Sequence, residues 1–185
     1  MEEYDEDLDQ MLFYLPLAGS AFKKVYYDEN LQRAVSKFVA PEDLIVPYYT
    51  TDLDSCPRIT HLIKMPENEV KKLQAIGFYR DVKVDGGNNL VGNTGLDSEL
   101  EKLEGVEPSY DTGEVCHLYE VHCNLDLDGF EDTNEEGEFT EVKLPYIVTI
   151  DTNSENILSI RRNFEEDDPM KKKIAYFVHF KFLPG

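Results

Sequence analysis

Between residues 3 and 21 apolar side chains return at steps of three and four, at Leu8, Met11, Leu12, Leu15 and Ala18. That is the period of an amphipathic helix with one apolar stripe. Acidic residues crowd its first turns, where the helix dipole favours negative charge. Pro16 is expected to kink the helix or end its regular part, because proline removes an intrahelical donor. The period then shortens. Phe22–Tyr27 and Arg33–Val39 are rich in aromatic and branched residues and flank Asp28-Glu29-Asn30-Leu31-Gln32, which predicts a hairpin. Short strands follow near Leu44–Val46 and Ile59–Met65, and Pro41, Pro47, Pro57 and Pro66 discourage any long helix among them.

Glu67–Ile76 returns to a helical pattern, with Val70, Leu73 and Ile76 on one face and Gly77 placed as a left-handed cap. The glycine- and asparagine-rich stretch from Asp85 to Gly95 predicts a mobile loop, and Asp97–Glu104, closed by Gly105, a small helix, so that 85–111 forms an irregular excursion. Alternating runs at Glu114–Leu127, Phe139–Ile150, Asn156–Phe164 and Lys173–Phe182 predict an antiparallel meander of about four strands. In the last run Ile174, Tyr176, Val178, Phe180 and Phe182 share one face, which is expected to be buried. An N-terminal amphipathic helix, a β-hairpin and short helices packed on a mainly antiparallel sheet give an α+β class, read as one domain over 1–185.

Composition narrows this picture. The 185 residues, 41% of them apolar, suffice for one ordinary core, and 11 Tyr and 10 Phe supply large surfaces to bury. Against 18 basic residues stand 38 acidic ones, a formal net charge of −20, which opposes the close phosphate contacts of sequence-specific nucleic-acid binding. Cys56, Cys116 and Cys123 form no dense even set and no CxxC pair, so a secreted disulfide scaffold is not expected and a reducing cytoplasm fits. No apolar run approaches the roughly 18 residues of a membrane span. Both ends read as cuts in a longer chain.

The chemistry-bearing residues fall short of any complete motif. Cys116-His117 and His122-Cys123 suggest zinc, but on a strand Cys116 and His122 point to one face and His117 and Cys123 to the other, and six residues span about 20 Å. In Asn124–Glu135, Asp126, Asp128, Gly129 and Glu135 match positions of a calcium loop. Asn124 replaces its first Asp, Glu131 its apolar position, and the flanks read as strands, so an acidic calcium-binding module using 124–135 is the alternative reading. Gly87–Thr94 has phosphate-loop glycine spacing with Asn93 where the lysine belongs. His61, His117, His122 and His179 all sit in strand patterns without a nucleophile signature, so no enzyme and no cofactor is expected. Finally, Glu165, Glu166, Asp167 and Asp168 face Lys171, Lys172 and Lys173 across Pro169, opposed blocks suited to setting register against a neighbouring subunit or coat protein.

A set of longer strings carries a resemblance. Leu15-Pro16-Leu17-Ala18-Gly19-Ser20-Ala21-Phe22-Lys23-Lys24-Val25-Tyr26-Tyr27-Asp28 is followed by Phe38-Val39-Ala40-Pro41-Glu42-Asp43-Leu44-Ile45-Val46-Pro47-Tyr48. Then come Ile59-Thr60-His61, Met65-Pro66-Glu67-Asn68-Glu69, Gly129-Phe130-Glu131-Asp132, Lys143-Leu144-Pro145-Tyr146, Ser159-Ile160-Arg161-Arg162-Asn163 and Tyr176–Gly185. Strings and order together resemble the portal proteins of short-tailed bacteriophages, weakest over 85–111. The resemblance implies a wing-like piece of a longer subunit, in a homo-oligomeric ring, usually a dodecamer, at one vertex of the virion capsid. It further implies a role in DNA packaging and ejection and in head assembly after synthesis in the host cytoplasm. The implied partners are coat or scaffolding protein, with the terminase bound through regions outside this chain. It implies no catalytic residues.

Overall fold

The computed structural model describes residues 4–28, 32–84, 115–133 and 136–182. Helix α1 covers Tyr4–Ala18 and keeps Pro16 inside its last turn, two residues before it ends. Gly19 follows at φ 73°, and its N–H donates to the Leu15 carbonyl. The stripe that faces the protein is centred on buried Met11 with half-buried Leu8, Tyr14 and Leu15, and the Tyr14 ring lies 5.3 Å from that of Phe38. Leu12 and Ala18, expected on the buried stripe, are exposed. Counted from Met11, a period of 3.6 carries Leu12 round the helix edge, whereas Ala18 falls back on the stripe and is exposed as the last residue of the helix.

Strands β1 (Ser20–Asp28) and β2 (Arg33–Val39) form the expected antiparallel hairpin, with Phe22 opposite Val39 and Asp28 opposite Arg33. A 3₁₀ turn at Pro41–Asp43 leads into β3 (Leu44–Ile45), which pairs antiparallel with β4 (Arg58–Pro66). Helix α2 spans Glu67–Ala75, and Gly77 takes the left-handed cap at φ 79°. Val70 is buried as its spacing required, but Ile76 lies past the last helical residue and is exposed. The loop and small helix expected over 85–111 lie outside the described residues.

Strands β5 (Val115–Leu125), β6 (Leu144–Asp151) and β7 (Ile157–Arg162) then follow as successive neighbours in a five-stranded sheet of order β3-β4-β5-β6-β7. The α+β class stands, with two sheets. The last strand, β8 (Phe177–Lys181), does not extend the meander. It pairs antiparallel with β1 in a second sheet of order β2-β1-β8. The chain is led there by residues 163–176, where Ile174 N–H donates to Asn163 and Lys173 Nζ donates to the carbonyls of Leu53 and Cys56.

The face of β8 is also the reverse of the one expected. Phe177 is 6% exposed and Val178 45%. Register explains the inversion: Phe177 stands opposite Lys24 and His179 opposite Phe22, on the side of the sheet that carries the core, whereas Val178 stands opposite Lys23 on the other side.

Contacts group the chain into two compact units, where the sequence reads as one domain. The first takes Met1–Leu62, Glu120–Val148 and Ile160–Gly185, the second Ile63–Tyr119 and Thr149–Ser159, so the boundaries fall inside β4, β5, β6 and β7. The first unit has a core of Val39, Leu44, Cys56, Ile59 and Phe177, with Phe22, Val46, Leu53 and Tyr176 against it. The second has a core of Val70, Tyr79, Cys116, Leu118 and Leu158. No helix among the described residues is long and apolar enough to cross a membrane.

Candidate functional site

Strand β5 buries every second side chain from Cys116 to His122. Cys116 and His122 therefore share a face, as strand parity required. Leu118 continues that face as an apolar residue. Glu120 and His122 continue it with a carboxylate and an imidazole, both in the first unit.

The carboxylate is met from β1. Lys24 Nζ lies 2.6 Å from Glu120 Oε1 and 2.8 Å from Oε2, with the two side chains 15% and 10% exposed. His122, 3% exposed, places Nε2 2.9 Å from Glu120 Oε1. Since an ionised carboxylate only accepts, the ring nitrogen donates. Two donors thus hold one buried anion, the arrangement that makes burial of a charge tolerable. Burial alone would raise the Glu120 pKa, but the His122 hydrogen bond and the Lys24 charge outweigh it and hold the group well below the usual carboxylate range.

Around this pair stand aromatic rings. Phe177 receives His122 edge-on at 5.2 Å and His61, from β4, edge-on at 5.6 Å. Lys24 Nζ is 5.9 Å from the Phe177 ring centre and 5.6 Å from that of Tyr26. His61 is pushed down to about 4, chiefly by burial and then by the Lys24 charge, with Glu120 acting the other way. Its Nδ1 is buried without a hydrogen-bond partner. Burial raises the Tyr176 hydroxyl above its ordinary value.

A cavity of about 10 Å³ opens beside His122, lined among others by Leu53, Asp54, Lys173 and Tyr176. That is room for about one water. Lys24, Glu120, His122 and His61 form an ionic anchor with a water-sized space next to it, and the space takes no organic substrate. Among the described residues no group of three or more His, Cys, Asp or Glu has metal-holding geometry.

The other expected sites are placed as follows. Asp126 and Asp128 are exposed on the turn after β5, where Phe130 N–H donates to the Leu127 carbonyl and Gly129 sits at φ 83°. Glu135 lies outside the described residues. Asp132 is paired with Lys171 and accepts from Thr140 Oγ1 at 2.6 Å, and the Lys171 hydrogen bond is the first cause holding its pKa down. In the segment expected at a subunit interface, Glu166 pairs with Arg162. Asp168 accepts from the N–H groups of Met170 and Lys172, both at 3.0 Å, shaping a turn that puts Lys171 at φ 46°. Lys173 is spent on the Leu53 and Cys56 carbonyls. Glu165, Asp167 and Lys172 remain exposed. Apart from the turn that Asp168 makes with the Met170 and Lys172 amides, the bonded side chains of the two blocks find partners elsewhere in the first unit: Glu166 on Arg162, Lys171 on Asp132 and Lys173 on two carbonyls.

The anchor was missed by sequence reasoning, although a signal existed: Glu120 and His122 continue the inward parity of Cys116 and Leu118. No protein-family model matches the chain, and no curated protein matches it.

Proposed function

We propose that the chain is a structural, wing-like piece of a phage portal subunit, working through protein contacts in a ring. The observation that carries this reading is the ordered set of strings described above. They fall on the joints of the fold: the end of α1 into β1, the end of β2 through β3 to the Tyr48 turn, β4 into α2, the start of β6 and the end of β7. Two features are compatible with it. The buried ionic anchor serves to fix strands and leaves no room for a substrate. The surface of the first unit displays large apolar side chains, among them Phe13, Leu17, Tyr48 and Tyr49, of the kind that partner contacts cover.

No specific observation favours the calcium reading. Asp132 is already neutralised by Lys171, and Asp126 and Asp128 are exposed beyond the end of a strand.

The test uses the complete reading frame that contains this sequence, expressed and examined by light scattering and negative-stain microscopy. Rings of many subunits are expected. A protein that stays monomeric at micromolar concentration overturns the reading. Within such rings, crosslinks from Lys172 to a neighbouring subunit are expected; their absence removes the interface role of 165–173 and leaves the ring.

A further inference from the structure

We propose that Lys24, Glu120, His122 and His61 form an acid-released latch that fastens the three-stranded sheet to β5 within the first unit. The geometry gives each member a part. Lys24 belongs to the β2-β1-β8 sheet, and Glu120 and His122 to the five-stranded sheet. The ion pair of Lys24 and Glu120 therefore joins the two sheets across 96 positions of sequence. It is shielded from solvent by Tyr26, Phe177 and the His122 ring. Salt screens such a pair weakly, and a change in the charge of its members is felt strongly.

At neutral pH the latch pairs the Lys24 cation with the Glu120 anion beside a neutral His61. Acid acts against this pairing at His61 and at Glu120. A proton on His61 places a second cation near Lys24, next to an Nδ1 with no partner. A proton on Glu120 removes the anion that both donors hold. Each event weakens the same link. The other charged or titratable groups facing the cluster do not restore it. They are Asp54 and Lys173 at the cavity, and Tyr176, which feels Arg161. Lys173 is committed to two carbonyls, Tyr176 stays neutral in acid, and Asp54 lines the cavity beside His122. What remains is the apolar packing of Phe22, Val39 and Phe177 on Leu44 and Ile59, so acid loosens the sheet before it unfolds the chain.

Helix α2 and the 115–119 part of β5 provide the internal control, because they pack into the apolar cluster of Val70, Tyr79, Cys116, Leu118 and Leu158, which does not include the second unit's buried carboxylate Asp151. Hydrogen exchange read by mass spectrometry, with rates corrected for the intrinsic effect of pH, separates the two. Between pH 6.5 and 4.5, peptides over 20–28 and 177–181 are expected to lose about tenfold in protection, the equivalent of one unit of pKa shift. Peptides over 67–75 and 115–119 are expected to hold theirs. The double substitution Lys24→Met with Glu120→Gln removes both charges at little change of shape, and its exchange is expected to show a smaller step, because the burial of His61 remains. Equal loss in both sets of peptides, no loss in either, or an unchanged step in the double variant overturns the latch. Should that variant fail to fold, the comparison of peptides in the unaltered chain decides alone.

Discussion

The two halves of β5 bury the same face by different means. In the second unit Cys116 and Leu118 enter an apolar core with Val70, Tyr79 and Leu158, and the stabilisation comes from area removed from water, about 2–3 kcal/mol for a fully buried leucine. In the first unit Glu120 and His122 occupy the next two positions of that face, and burial there is offset by pairing with Lys24. Burial sealed by transfer is indifferent to protons. Burial sealed by pairing depends on them, and it fails badly when one partner is lost, because the remaining charge stays where water cannot reach it.

The largest effect separating the halves comes from Leu118→Ala. Leu118 is 0% exposed, so truncation removes its transfer energy and leaves a cavity, a loss of about 4 kcal/mol. Urea denaturation is expected to show that loss equally at pH 7 and pH 5. Glu120→Ala comes next, at about 3 kcal/mol at pH 7, the lower end for a broken buried pair because Lys24 keeps some access to solvent. Its cost is expected to shrink as the pH falls through about 4.5, since the unfolded parent chain then takes up a proton at Glu120 that the folded chain refuses. A cost that stays constant down to pH 3.5 would mean that the carboxylate acts by shape and not by charge.

How much of this contrast was legible beforehand follows from what alternation encodes. It places β1, β2, β4, β5 and β7 within two residues, starts β6 five residues early, at Phe139 instead of Leu144, and establishes that Cys116 and His122 point the same way. It does not say which of two faces a neighbour covers, and β8 shows the consequence: Phe177, not Val178, meets the core. The hairpin is local and was read correctly. The pairing of β8 with β1 joins opposite ends of the chain, and nothing near either strand announces it. Lys24 and Glu120 are 96 positions apart, so the anchor could be suspected from the parity of Glu120 but its partner could not. Opposed charges at 165–173 were visible, whereas their use on Arg162, Asp132 and two carbonyls depends on the tertiary path.

The third comparison is of pH windows. His61 lies at about 4 in the folded chain against an ordinary 6.5, so between those values the unfolded chain binds a proton that the folded chain refuses. Its contribution is whole above about pH 6.5 and declines as the pH falls towards 4, by about 2 kcal/mol after allowance for partial exposure. Glu120, held below its ordinary 4.5, adds a further decline beginning near that value and continuing below it. In His61→Phe the loss between pH 6.5 and 4.5 is expected to flatten while the loss below 4.5 remains. Thermal melts at half-unit steps of pH distinguish the two, and an unaltered profile would remove His61 as the source.

The smallest effect tests whether polarity alone, without charge, explains the first unit's behaviour. The second unit has a buried neutral pair: Ser159 Oγ donates to Thr149 Oγ1 at 3.1 Å, with both residues nearly inaccessible. Ser159→Ala leaves the Thr149 hydroxyl without that donor, at a cost of about 1 kcal/mol, the scale for a neutral hydrogen bond with one partner deleted. Neither hydroxyl titrates in the accessible range, so the cost is expected to be the same at pH 7 and pH 4.5. A neutral buried pair that is cheap to break and blind to pH, set against an ionic one that is costly and acid-labile, assigns the acid lability of the anchor to ionisation. Were Ser159→Ala to show the pH dependence of Glu120→Ala, the cause would lie in global unfolding shared by both units, and the anchor would lose its special standing.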